Sequence, residues 1–125
     1  MADFPGLVEV ARELERVECV IVVGDTGSGK TTQLPQILLD RGLGPICVTQ
    51  PRRVAAIAAA RRIAQERRSR VGDEVGYSVR FEQECSESTC IKLVTDGMLL
   101  REAVADPCLT RYRTVILDEV CVPLE

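Results

Sequence analysis

The sequence predicts an α/β domain built on a mainly parallel sheet flanked by helices. Three observations carry this reading. Short apolar runs of strand length alternate with helical stretches between residues 19 and 117. The first run, Cys19-Val20-Ile21-Val22-Val23, leads through a glycine-rich turn directly into a helix. The last, Val115-Ile116-Leu117, ends in two adjacent acids, Asp118 and Glu119.

Taken in order, Leu7, Val10, Ala11 and Leu14 recur at helical spacing, so residues 1–16 read as an amphipathic N-terminal helix. Residues 19–23 are apolar throughout, as in a strand covered on both faces. A helix follows from about Lys30 to Asp40, stopped by Gly42, Gly44 and Pro45. Pro35 inside it is expected to distort its second turn. Residues 46–49 form a second short buried strand. Pro51 opens a long alanine- and arginine-rich helix, reaching about Arg68, at the position where a proline costs nothing. Val75, Tyr77, Val79 and Phe81 alternate with other residues, which predicts a half-exposed strand over 75–81 and a polar loop over 82–89. Then come a strand over 91–95, a helix over 97–105 and a final buried strand over 114–117.

The 125 residues suffice for one domain and not for two. Hydrophobic residues make up 46% and charged residues 28%, ordinary proportions for a globular domain. No apolar run approaches the ~18 residues needed to span a bilayer. The start, Met1-Ala2-Asp3-Phe4-Pro5, has no basic segment leading into an apolar one, so an intracellular setting is expected. Nucleus, nucleolus and cytoplasm are not distinguished. Six cysteines (Cys19, Cys47, Cys85, Cys90, Cys108, Cys121) form no C-x-x-C pair and histidine is absent, so a zinc site is not expected and the thiols read as inert. The net charge is −3, yet residues 52–70 hold seven arginines against one acid, Glu66. That stripe is either a surface for phosphates or a solvated helix face.

The chemistry concentrates in Gly24-Asp25-Thr26-Gly27-Ser28-Gly29-Lys30-Thr31, which satisfies G-x-x-x-x-G-K-[ST] without exception. Glycines allow successive backbone N–H groups to curl around a triphosphate, and the following helix adds its positive N-terminal end. Lys30 has the reach and charge for the β- and γ-phosphates, and the Thr31 hydroxyl is a hard oxygen suited to Mg²⁺. Asp118, at the end of another buried strand, is expected to hold Mg²⁺ through water, and Glu119 to orient or deprotonate the attacking water. This is a P-loop NTPase pattern with a nucleoside triphosphate and Mg²⁺ as the expected ligands.

Five segments together resemble one family. GDTGSGKTTQ (24–33), TQPRRVAA (49–56), VGYSVRF (75–81), TDGMLLRE (95–102) and LDE (117–119) stand in the order and spacing of the DEAH-box ATP-dependent RNA helicases of superfamily 2. The resemblance covers residues 17–119 and implies part of a first RecA-like motor domain. DEAD-box enzymes, which carry a PTRELA-type segment in place of TQPRR, fit worse. A GTPase would need an N-K-x-D motif, which is absent. A small P-loop kinase leaves TQPRR and TDGMLLRE unexplained. The resemblance implies that Thr49, Gln50, Arg52 and Arg53 grip the RNA backbone and that Thr95, Asp96 and Gly97 do so further along. Such contacts position a strand without reading its sequence. It further implies nucleotide contacts from 24–31 and Thr32, and stacking of Arg62 on adenine; on the residues alone, Arg62 is also readable as a solvated helix residue. Arg80 and Phe81 match a family signature read as packing or RNA support.

The match departs at the box itself. Asp118-Glu119-Val120-Cys121 stands where the family has Asp-Glu-Ala-His, and a thiol does not reproduce an imidazole's hydrogen bonding. Residues 120–125 read as a divergent tail, and the S-A-T motif and second motor domain do not follow. An incomplete sheet of marginal stability is therefore expected, and a non-enzymatic product that binds nucleotide, RNA or partners is the alternative to a motor.

Overall fold

The computed structural model describes Glu9, Arg12 and residues 30–118. The expected strand at 19–23, the glycine-rich turn at 24–29, Glu119 and the tail at 120–125 lie outside the described residues. Glu9 and Arg12 are helical, and their side chains meet at 2.9 Å.

Eight elements make up the described fold. These are α1 (Lys30–Asp40), β1 (Ile46–Gln50), α2 (Arg53–Glu66), β2 (Val75–Val79), β3 (Glu82–Glu84), β4 (Ile91–Thr95), α3 (Asp96–Ala105) and β5 (Thr114–Leu117). The five strands form one sheet in the order β3-β2-β4-β1-β5. Pairing is parallel except where β3 folds back antiparallel on β2. Sheet and helices therefore follow the α/β, mainly parallel arrangement that the alternating pattern predicts.

Side-chain alternation divides the sheet into two faces. Ile46 and Val48 of β1, with Ile91 and Leu93 of β4, pack against α1 and α2, joining Leu34, Leu38, Ala56, Ala60 and Ile63 in the core. Leu38, Ile46, Ile63 and Leu93 are fully buried, each worth about 1.5–3 kcal/mol of transfer free energy. The intervening Cys47 and Lys92 look the other way. There Lys92 Nζ lies 3.9 Å from Glu102 of α3, and Tyr112 donates its hydroxyl to the same carboxylate at 2.7 Å. Burial, reinforced by the charge of Glu102, pushes the Cys47 thiol up to about 12.

Both long helices stop by the same device. After α1, Gly42 is left-handed (φ 79°), with Gly42 N–H donating to the Leu39 carbonyl and Leu43 N–H to the Leu38 carbonyl, each at 3.0 Å. After α2, Arg68 takes that position (φ 55°), with bonds from Arg68 N–H to the Gln65 carbonyl and from Ser69 N–H to the Ala64 carbonyl.

The structure corrects several boundaries. α1 runs unbroken through the buried Pro35. Pro51 does not open α2: it stands outside the helix, Arg52 is the extended cap residue, and the helix covers Arg53–Glu66, ending short of Arg68. The expected half-exposed strand over 75–81 stops at Val79 and is buried throughout. It lies between β4 and β3 under α2, and its alternate positions, Gly76 and Ser78, are small enough to be covered as well. A Cβ at Gly76 would collide with the Glu84 carbonyl oxygen, so the close approach of β3 depends on that glycine. Arg80 and Phe81 form the turn, and residues 82–84 of the expected loop are strand β3. β5 was expected to be buried but is half-exposed, with Leu117 60% exposed. It pairs with β1 on one side, and among the described residues no strand lies on its other side.

Candidate nucleotide site and RNA-facing edge

Parallel pairing brings the carboxyl ends of β1, β4 and β5 to one edge, where ligands of open α/β sheets bind. Gln50 is level with Thr95, and Thr49 with Leu117. One residue further along β5, Asp118 falls beside Gln50. Strand alternation turns Ile116 and Asp118 to the face of Val48 and Gln50, which α1 covers.

The first turn of α1 meets that point. Thr31 Oγ1 donates to Asp118 Oδ2 at 2.7 Å, across 87 residues of sequence. Gln50 Nε2 donates to the same oxygen, also at 2.7 Å. The Asp118 N–H donates to Thr49 Oγ1 at 3.2 Å, and that hydroxyl faces the Ile116 carbonyl at 3.4 Å. Asp118 is only 8% exposed, so its carboxylate is held by donors rather than by bulk water. A hydroxyl beside a carboxylate, with no sulfur or imidazole in the set, is the donor chemistry Mg²⁺ prefers. The structure thus brings together Thr31 and Asp118. Residues 24–29, Glu119 and the side chain of Lys30 lie outside what is described.

A second cluster ties α2 to α1. Glu66 Oε1 accepts from Gln33 Nε2 and Gln36 Nε2, both at 2.8 Å, while Oε2 accepts from Arg62 Nε at 2.7 Å. Gln36 also donates to the Thr32 carbonyl at 2.8 Å. Burial works to raise the Glu66 pKa, but the hydrogen bonds from Arg62, Gln36 and Gln33 together leave it lowered. Arg62 is exposed and bonds Glu66 on its own helix; Glu66 in turn is tied to the helix that begins at Lys30. Gln33 and Gln36 are not singled out by the sequence, and Glu66 stands there only as the one acid of the arginine stripe. The signal for the two glutamines is that they stand three residues apart among the apolar residues Leu34, Pro35, Ile37 and Leu38, a spacing that shares one helical face.

The segment expected to grip RNA divides into two settings. Thr49 and Gln50 are buried and engaged with the β5 end, whereas Arg52 and Arg53 are exposed. Alternation from Ile46 through Val48 to Gln50 is the signal that assigns Gln50 to the inner face. Arg53 lies 3.9 Å from Glu82, linking the start of α2 to the β2–β3 turn. In that turn Phe81 is 88% exposed with φ 70°, and the Arg80 guanidinium stands 4.8 Å from its ring centre. Thr95 caps α3 without a side-chain hydrogen bond. Asp96 and Gly97 are exposed, and a Cβ at Gly97 would meet open space. Arg52, Arg53, Arg80, Phe81 and residues 95–97 therefore share the carboxyl edge with the Thr31–Asp118 pair.

Sequence comparison decides the family. The chain is 53% identical over 114 residues, 89% of its length, to mouse (Mus musculus) ATP-dependent RNA helicase DHX33. It is 52% identical over 119 residues to the Homo sapiens protein of that name. It is 49% identical over 114 residues to the Arabidopsis thaliana pre-mRNA-splicing factor ATP-dependent RNA helicase DEAH10. This chain belongs to the DEAH-box helicase family. No family model matches it. The chain spans only 16–17% of the length of these helicases, so the match speaks for a segment of the DEAH-box architecture. The five-stranded sheet described above is consistent with part of a RecA-like domain.

Proposed function

We propose that the chain is the nucleotide-binding part of an ATP-dependent RNA helicase motor, in which ATP binding and hydrolysis are coupled to RNA binding and remodelling. Residues 17–119 form the partial RecA-like unit, preceded by a helix at 1–16 and followed by a divergent tail at 120–125, and the setting is intracellular. The observation that carries this is the 2.7 Å approach of two hard-oxygen groups, Thr31 in the first turn of α1 and Asp118 just beyond β5.

In this reading residues 24–29, Lys30, Thr31 and Thr32 cradle the triphosphate, with Lys30 neutralising charge on the β- and γ-phosphates. Thr31, Asp118 and Glu119 would hold Mg²⁺, which would draw charge from the phosphate oxygens. Glu119 takes a proton from the water that attacks the γ-phosphorus as the bond to the β-phosphate oxygen breaks. Arg62, steadied by Glu66, stacks on adenine. RNA lies along the carboxyl edge, on the backbone at Thr49, Gln50 and Thr95, the side chains of the first two being buried, and on the exposed Arg52, Arg53, Asp96 and Gly97, with Arg80 and Phe81 in support. Little base specificity follows from such contacts.

A second reading, a chain that binds nucleotide, RNA or partners without motor activity, is favoured by Val120 and Cys121 where the family has Ala-His. The test is thermal unfolding with and without Mg-ATP, beside Lys30→Ala. Ligand at 100 times its Kd adds about 2.7 kcal/mol of stability. A cooperative melt that rises with Mg-ATP in the native chain and not in the variant supports the site. A broad, unresponsive transition refutes it. Release of phosphate under the same conditions separates the motor reading from the binding-only one.

A further inference from the structure

We infer that Gln50 is a positioning residue that couples the RNA-facing arginines to the Mg²⁺-bearing carboxylate; this rests on the ATP and RNA reading above. The sequence groups Gln50 with the RNA grip, but its side chain faces the other way. Gln50 is 5% exposed, and its amide donates to Asp118 Oδ2 at 2.7 Å, the oxygen that Thr31 Oγ1 also reaches at 2.7 Å. Two residues later the chain is at the surface, with Arg52 extended (φ −126°, ψ 145°) and Arg53 opening α2.

The path between is short and stiff. Two residues of extended chain span about 7 Å, and the residue joining them, Pro51, has its φ held near −65° by its ring. Displacing Arg52 therefore moves Gln50 rather than being absorbed at that torsion. The moving part ends on a single carboxylate oxygen shared by two donors. A shift of the amide changes how strongly that oxygen is already engaged, and so how readily it serves a divalent cation. A polyanion held by Arg52 and Arg53 and a cation held by Thr31 and Asp118 thus act on the same hydrogen bond. Linkage requires the effect to be reciprocal: RNA alters Mg-ATP affinity, and Mg-ATP alters RNA affinity by the same factor.

The test measures Mg-ATP affinity of the 125-residue chain with and without saturating short oligouridine, and takes the ratio. In the native chain the ratio departs from unity by about fivefold or more. Gln50→Met keeps the side-chain length and removes the N–H donor, and its ratio falls to unity. Gln50→Asn keeps the amide one methylene short of Asp118 and behaves likewise. Both affinities come from one variant, so a loss common to both cancels, and either folded variant suffices. A Gln50→Met chain with the native ratio overturns the coupling. A native chain that binds Mg-ATP and oligouridine with a ratio of unity overturns it while leaving the ATP and RNA reading intact. A native chain that binds neither overturns both.

Discussion

Replacing Glu66 by alanine removes one acceptor from three donors on two helices, and the structure allows its cost to be worked out donor by donor. Gln33 is 8% exposed, its Oε1 has no partner among the described residues, and its Nε2 bonds to Glu66; the substitution leaves its amide without a described partner. A buried polar group in that state costs about 1–3 kcal/mol. Gln36 keeps its bond to the Thr32 carbonyl and loses less. The Arg62 side chain is 66% exposed, so water screens its pair with Glu66 and the loss there is about 0–1 kcal/mol. Glu66→Ala is therefore expected to cost about 2–4 kcal/mol in total. The sequence has no tryptophan, so urea unfolding is best followed by far-ultraviolet circular dichroism. Removing the stranded donor as well should restore part of the loss, because deleting both partners of a buried bond is cheaper than deleting one. Glu66→Ala combined with Gln33→Leu should thus unfold at higher urea than Glu66→Ala alone. The lowered Glu66 pKa sets the pH dependence: the native chain binds this proton less readily than the unfolded chain. The stabilisation is full above the ordinary carboxylate range and is lost as pH falls through the lowered folded value. The gap between native and Glu66→Ala chains should close in acid. A double variant no more stable than the single one, or a gap independent of pH, refutes the assignment.

Two further outcomes follow from local geometry. Arg68 sits in the left-handed position that Gly42 fills after α1. The strain of a side chain there, about 1–2 kcal/mol, exceeds the entropy a glycine forfeits. Arg68→Gly should therefore raise stability by about 0.5–1 kcal/mol, read as a higher melting temperature. Cys47 is fully buried and its thiol is held up to about 12, so at neutral pH a thiol reagent should label the exposed Cys108 at once. Cys47 should be labelled only on unfolding, as peptide mapping by mass spectrometry would show.

The strands and helices were legible because apolar runs and helical periodicity are local signals, and the Thr31–Asp118 pairing because two separate motifs each point to a phosphate and its metal. The environment of individual strands was not. Val75, Tyr77 and Val79 alternate as in a half-exposed strand, but Gly76 and Ser78 are compact enough to be covered too. The apolar run ending at Leu117 gives no local sign that β5 has one described neighbour rather than two. Glu66 was read as one acid in an arginine stripe. Its partners Gln33 and Gln36 lie about thirty residues earlier, and only the packing of α2 on α1 brings them together. The motif grouping of Gln50 with Arg52 and Arg53 concealed an alternation that separates buried amide from exposed cations.

Strand order also has a consequence for synthesis. β4 lies between β1 and β2, although it follows both in the chain. Until residues 91–95 emerge, only the β2–β3 hairpin among the described strand pairs has both members present. The arginine-rich α2 and the strand bearing Gln50 leave the ribosome before β4 and β5, the described strands that pair with β1. Non-local pairing of this kind slows folding. Arrival of β4 then completes three neighbouring strands at once, making this late segment the closing step for the surface that gathers Gln50, Thr95 and, soon after, Asp118.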